Sequence, residues 1–344
     1  MEQRQYGLDI LRLLAMVMIT ALHINDEFIV SGNRALWMTG HLIEYLCYAG
    51  VNCFALLSGF LLSSSGSRYD RKWLKRIISL WLKMTVWAVV MYLLCQSVFR
   101  HGNAPFNWRD FAVNLFPLTA NWWYINAYMG MLLFLPLLVR AIENMDSREL
   151  GWGCAAMLAA FSVIPLLSGS EGSLQLNNGY SAIWLMVCFF HGAALKRFMP
   201  QLHKVRHINF LAPAVAVLCA LIPYGLFISG IPGGTVLLNY LSPLCVLEAA
   251  ALLVSCTLIE VRSAKIQKAV AFLSRHSLGI YLFQTYPHIF SVWVAAHPAA
   301  RLSGAEIIRR FPLLLLLLAT IGILFDLLIS TVLNWGKRKT ASES

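Results

Sequence analysis

Apolar residues in this chain gather into runs of roughly twenty, the length that spans a bilayer core, separated by short polar connections. At 1.5 Å per residue such a run forms a helix of about 30 Å. Ten runs stand out, at approximately 8–28, 41–63, 77–99, 122–141, 151–168, 180–198, 208–229, 236–259, 277–296 and 311–333. They predict an all-α, polytopic membrane helix bundle with about ten transmembrane helices. The fifth run is short, and the ninth begins with SLGIYLFQTYPHIF and carries a proline. No tandem repeat or linker interrupts the series, so residues 1–344 read as a single integral membrane domain.

Composition agrees with this pattern. With 59% hydrophobic and 12% charged residues and a mean hydropathy of +0.66, the chain lacks the polar surface of a soluble globule. The net charge of +11 would suit nucleic-acid binding only if the cations shared one water-facing surface, and here they lie between apolar runs. Sorted by connection, nineteen Lys and Arg fall on one side of the ten-span frame and six on the other, with Arg12 and Lys83 inside spans. Short cytoplasmic loops are enriched in such residues, so both termini are expected to be cytoplasmic.

The first run is too long, and with Arg12 too charged, for a cleaved signal peptide. The eight cysteines are scattered through the spans without a C-x-x-C pair, which suits small buried hydrophobes, and no metal site is expected.

Candidate chemistry begins in LDILRLLAMVMITALHIN, residues 8–25. Eleven residues are three helical turns plus about 20°, so Arg12 and His23 share a face about 16 Å apart along the axis. Asp9 is placed one turn before Arg12 on that face, and Glu27 one turn beyond His23. Ionisable groups at membrane depth cost several kcal/mol unless paired or wet, so they are functional candidates by default. A structural reading, with Asp9 pairing Arg12 and His23 reaching the outer boundary, competes with it.

Five stretches, in order, carry a family resemblance. LDILRLLAMVMITALH resembles the opening signature of the acyltransferase-3 family of bacterial inner-membrane O-acyltransferases, with its Arg, ten residues and His on the first helix. CFALLSGFLL, with Ser58, Gly59 and Phe60, resembles that family's Phe-x-x-x-Ser-Gly-Phe motif, and RKWLKRI (71–77) its basic stretch. NWWYINAYMGMLLFLPLL (121–138) resembles the aromatic opening of the fourth helix, and SRHSLGIYLFQ (274–284) a closing Ser-x-Gly-Ile-Tyr-x-x-His motif. Two positions depart: Lys72 replaces the first Arg before Arg76, and Gln284 stands where the closing motif has His.

The resemblance implies transfer of an acyl group, usually acetyl from cytoplasmic acetyl-CoA, to a hydroxyl of a surface or lipid-linked carbohydrate at the bacterial inner membrane. His23 is then the expected base or acyl carrier. Arg12 would stabilise an oxyanion or hold a CoA phosphate, and Asp9 would orient it. Glu27, or its neighbour Asp26, would orient His23. The cations Arg71, Lys72, Lys75 and Arg76 are expected to meet the CoA, although positive-inside topology and membrane lipid contact also explain them. Trp122, Trp123 and Tyr124 would stack on a sugar, unless they form only an interfacial belt. Self-association is open. The competing function is a secondary transporter or flippase that uses the buried charges as an ion relay.

Overall fold

The computed structural model describes residues 4–98, 108–114, 122–170, 173–286, 289 and 302–342. The described residues form helices joined by turns, with no strand among them. The helices are α1 (Tyr6–Ile24), α2 (Asp26–Ile29), α3 (Arg34–Cys47), α4 (Gly50–Leu62), α5 (Arg71–Val98), α6 (Trp108–Asn114) and α7 (Trp123–Asn144). They continue with α8 (Ser147–Leu158), α9 (Ile164–Ser168), α10 (Ala182–Leu202), α11 (Ile208–Ile228) and α12 (Gly233–Leu237). The last are α13 (Pro243–Thr257), α14 (Ala264–Gln284) and α15 (Gly304–Ser342).

All ten apolar runs lie at least partly on helices. Eight helical segments among the described residues are long and apolar enough to cross a membrane. Two runs fall short of that standard for identifiable reasons. The run at 236–259 yields only the 15-residue α13, because Asn239 caps a turn through Leu241 N and Ser242 N and Pro243 then restarts the helix. The run at 277–296 is the apolar second half of α14, whose first half is polar; residues 287, 288 and 290–296 lie outside the described residues.

Local rules account for several helix boundaries. Asn33 opens α3 by accepting from Ala35 N and Leu36 N, Asp146 and Glu149 form a reciprocal capping box on α8, and Ser181 caps α10. Arg197 donates to the carbonyls of Ile142 and Met145 at the end of α7. Pro136 interrupts α7 and so leaves the Leu132 carbonyl without its usual donor; the Trp73 Nε1–H fills the gap at 2.9 Å. That bond fastens α5 to α7.

Helix α1 runs through the middle of the bundle, against α3, α4, α13, α14 and α15. Its entry is tight: a Cβ on Gly7 would overlap the Cys256 carbonyl. Helices α4 and α10 cross in backbone contact, since a Cβ on Gly59 would overlap the Phe189 carbonyl and one on Gly192 the Leu56 carbonyl. Beside that crossing Asn52, fully buried, accepts from Trp184 Nε1 at 3.0 Å and donates to the Tyr240 carbonyl at 2.9 Å. Apolar packing alone sets no register in lipid, and this amide ties α4, α10 and the α12–α13 turn together.

Candidate active site

One face of α1 carries Asp9, Arg12, Met16, Ile19 and His23 at three- and four-residue spacing, and each lines a cavity. The cavities succeed one another along the helix. An inner one of about 980 Å³ includes Arg4, Asp9, Arg12 and Lys196 in its wall. A central one of about 350 Å³ shares Arg12 and Leu61 with it. An outer one of about 280 Å³, with His23, shares Ile19, Val51 and Tyr281 with the central one. The cation and the imidazole thus sit at opposite ends of one row of spaces.

The inner end is held by a buried carboxylate. Asp9, only 6% exposed, accepts from Arg4 Nε at 2.7 Å and from Ser274 Oγ at 2.7 Å, and meets Arg12 Nη1 at 3.3 Å. Arg12 Nη1 in turn donates to Ser274 Oγ at 2.9 Å. The guanidinium is therefore fixed from two sides while it still borders both cavities. Most of the central cavity is apolar, with Met16, Phe54, Leu57 and Leu80 in its wall; Ser58, Tyr128, Ser277 and Arg275 supply polar edges.

The outer cavity is aromatic and rich in hydrogen-bond acceptors. Tyr48 stacks on Tyr240 with centroids 4.5 Å apart, and Trp123 lies against Tyr180 at 4.4 Å. The loop before α10 sets Tyr180: Asn177 and Asn178 adopt positive φ, and Gly179, at φ +91°, passes against Tyr240 where a Cβ would not fit. Asp26, Glu44 and Asn25 complete the rim. Asn25 is 2% exposed, donates Nδ2 to the Gly40 carbonyl at 2.7 Å, and its Oδ1 has no donor among the described residues. Glu44 is met by His41 Nδ1 at 2.8 Å. Among the described residues no Lys or Arg lines this cavity.

Several residues chosen from sequence are separated by the structure. Glu27 does not line the His23 cavity: the helical hydrogen bonding tightens at Asn25, whose carbonyl accepts from Phe28 N at 3.0 Å, and Glu27 on α2 points to Arg310 Nη2 at 3.8 Å. The first span itself runs through residue 28 as expected, since Tyr6–Ile29 forms one apolar segment of membrane-crossing length and Asn25 keeps right-handed helical φ and ψ. Trp122 is fully buried, with Nε1 donating to the Leu282 carbonyl at 3.1 Å, and lines none of the three cavities. Its neighbours divide, Trp123 to the outer cavity and Tyr124 to the central one. Arg71, Lys72, Lys75 and Arg76 are exposed along the start of α5 and line none of these cavities.

Ser274, Ser277 and Tyr281 lie in the closing stretch matched from sequence but were given no site role there, although their three- and four-residue spacing on α14 is a legible polar stripe facing α1. The next position, Gln284, is buried beside Met16. The described residues hold no group of three or more His, Cys, Asp or Glu arranged to bind a metal.

A bundle with eight helical segments of membrane-crossing length among the described residues, and charged residues facing an internal row of cavities, is the architecture of a polytopic membrane protein. The acyltransferase-3 family model, for an acyltransferase domain, matches residues 5–335, and the chain belongs to that family. Comparison with curated proteins gave no significant match, and comparison with solved structures gave none either.

Proposed function

We propose that this membrane acyltransferase takes acetyl from cytoplasmic acetyl-CoA and transfers it to a hydroxyl of a surface or lipid-linked glycan at the bacterial inner membrane. The observation that carries the reading is the row of three cavities along the Arg12–His23 face of α1. In the positive-inside orientation both termini are cytoplasmic and the inner cavity opens toward the donor.

The chemistry follows from the three lining characters. A thioester reaches the apolar central cavity from the Arg12 end, where the fixed guanidinium neutralises charge on the donor or on the carbonyl oxygen as it becomes an oxyanion. In the outer cavity, aromatic faces and carboxylate acceptors suit a polyhydroxyl ring. His23 removes the proton as the hydroxyl oxygen attacks the carbonyl; the C–O bond forms, the C–S bond breaks, and the thiolate leaves to be protonated. A two-step variant carries the acetyl group on His23 as an acyl-imidazole before the sugar takes it. Asp9 and Ser274 position Arg12, and Tyr281, in the wall between cavities, lies on the acyl path.

The test is purified protein in liposomes with labelled acetyl-CoA. Wild type should consume the thioester and label a glycan acceptor, and His23→Ala should abolish both while the protein still inserts. Solute flux without thioester consumption would instead establish a transporter. Loss of a mass-detected acetyl group from the surface glycan of a deletion strain would identify the acceptor.

A further inference from the structure

The cations expected from sequence to meet the donor lie exposed on α5 and line none of the three cavities, whereas the inner cavity, the largest of the three, has a cationic wall. Its wall brings together Arg4, Arg12, Lys196 and His203, with Asp9 the one carboxylate among the described residues. Asp9 is already committed to Arg4 Nε, Arg12 and Ser274. Lys196 makes no ion pair among the described residues and is half-buried in the wall, so its charge faces the cavity uncompensated. His203, the residue just past α10, is steadied by Nε2 against Thr257 Oγ1 at 3.1 Å.

Size and neighbours narrow the ligand. A cavity of about 980 Å³ is at the upper end of the range for drug-sized and nucleotide ligands. It shares Arg12 and Leu61 with the central cavity, whose lining is largely apolar. A polyanion would find its counter-charges on one side of Arg12, and an uncharged arm its solvent on the other. A coenzyme thioester has that division, phosphates at one end and a neutral acyl arm at the other.

We infer that Arg4, Lys196 and His203 form the phosphate-binding compartment for the nucleotide end of the acyl donor, with the α5 cluster at most attracting it from solution. This rests on the acyl-CoA reading above. Arginine offers phosphate a planar fork and lysine a point charge, and each such contact is worth about tenfold in affinity.

The experiment compares Lys196→Ala, Arg4→Ala and the double variant with wild type in nanodiscs of neutral lipid, using acetyl-CoA and the phosphate-free thioester S-acetylpantetheine. The expected result is a KM for acetyl-CoA raised about tenfold by each single change and further by the double, with kcat within twofold and the KM for S-acetylpantetheine unchanged. Lys196→Arg should restore most of the loss, and substitution of Arg71 and Lys72 should cost less than Lys196→Ala. Equilibrium binding of CoA itself gives a readout that needs no turnover: a protein that binds CoA through Lys196 but transfers nothing would refute the transferase reading alone. An unchanged CoA affinity in Lys196→Ala, or equal losses for both thioesters, would overturn the compartment. An effect of Lys196 that appears only when anionic lipid is added, with CoA affinity unaltered in neutral discs, would assign the cations to a lipid headgroup and overturn it too.

Discussion

Helix α14 presents two charged clusters two residues apart, and they have opposite surroundings. Ser274 joins Asp9, Arg12 and Arg4 in a group that borders cavities. His276, about 200° further round the helix, meets Asp326 Oδ2 through Nδ1 at 2.7 Å, while Lys83 Nζ meets Asp326 Oδ1 at 2.7 Å. Asp326 is 1% exposed and lines none of the three cavities. Near it α14 and α15 are in backbone contact, with Gly279 and Gly322 leaving no room for a Cβ. The first group is a fixed charge with somewhere for a ligand to go, and the second is a clamp joining α5, α14 and α15. Buried charge at membrane depth is thus not a signature of chemistry until a cavity borders it.

That contrast can be broken at either cluster. The largest expected effect is on the cavity side: His23→Ala should lower acyl transfer by a factor of about 10² to 10⁴, the range for loss of a general base, with little change in the thermal unfolding midpoint. Asp326→Ala should do the reverse. It strands Lys83 and His276 in the protein interior, a loss of about 3–5 kcal/mol that would show as a lowered unfolding midpoint and poor recovery from the membrane. Lys83→Met combined with Asp326→Leu should recover much of that stability, since an apolar replacement of a buried pair is often tolerated.

Smaller effects sharpen the picture. Trp73→Phe removes the donor that answers Pro136, leaving the Leu132 carbonyl unpaired at a cost of about 1 kcal/mol, read in the same unfolding assay. Glu27→Gln should be nearly silent. Its contact with Arg310 is long, at 3.8 Å, and Gln removes the buried charge along with the pair, so the unfolding midpoint should move little and transfer should stay within twofold. A hundredfold loss of transfer in that variant would return Glu27 to the His23 site.

Much of this arrangement was legible in the chain. The face shared by Asp9, Arg12 and His23 follows from helical periodicity alone, and the three residues do line successive cavities. The separation of Trp122 from Trp123 was not legible, because Trp122 stands just outside α7 in a non-helical conformation and its burial depends on the Leu282 carbonyl of α14, far away in sequence. Nor was the tightened turn at Asn25 that keeps Glu27 out of the His23 cavity. The apolar run at 236–259 had the length of a span, yet local turn chemistry at Asn239 and Pro243 outweighed it. The basic cluster on α5 was conspicuous because it is contiguous. The cations of the inner cavity come from residues 4, 12 and 196, and only folding assembles them.

The α4–α10 crossing bears on how this protein should be dissected. Gly59 sits inside a motif that invites a chemical explanation, yet what it provides is clearance for the Phe189 carbonyl. Alanine scanning would score it as indispensable although it contributes no atom to any reaction. A dead Gly59 variant should therefore be tested first for whether the two helices still assemble, and only then counted among the residues that handle substrate.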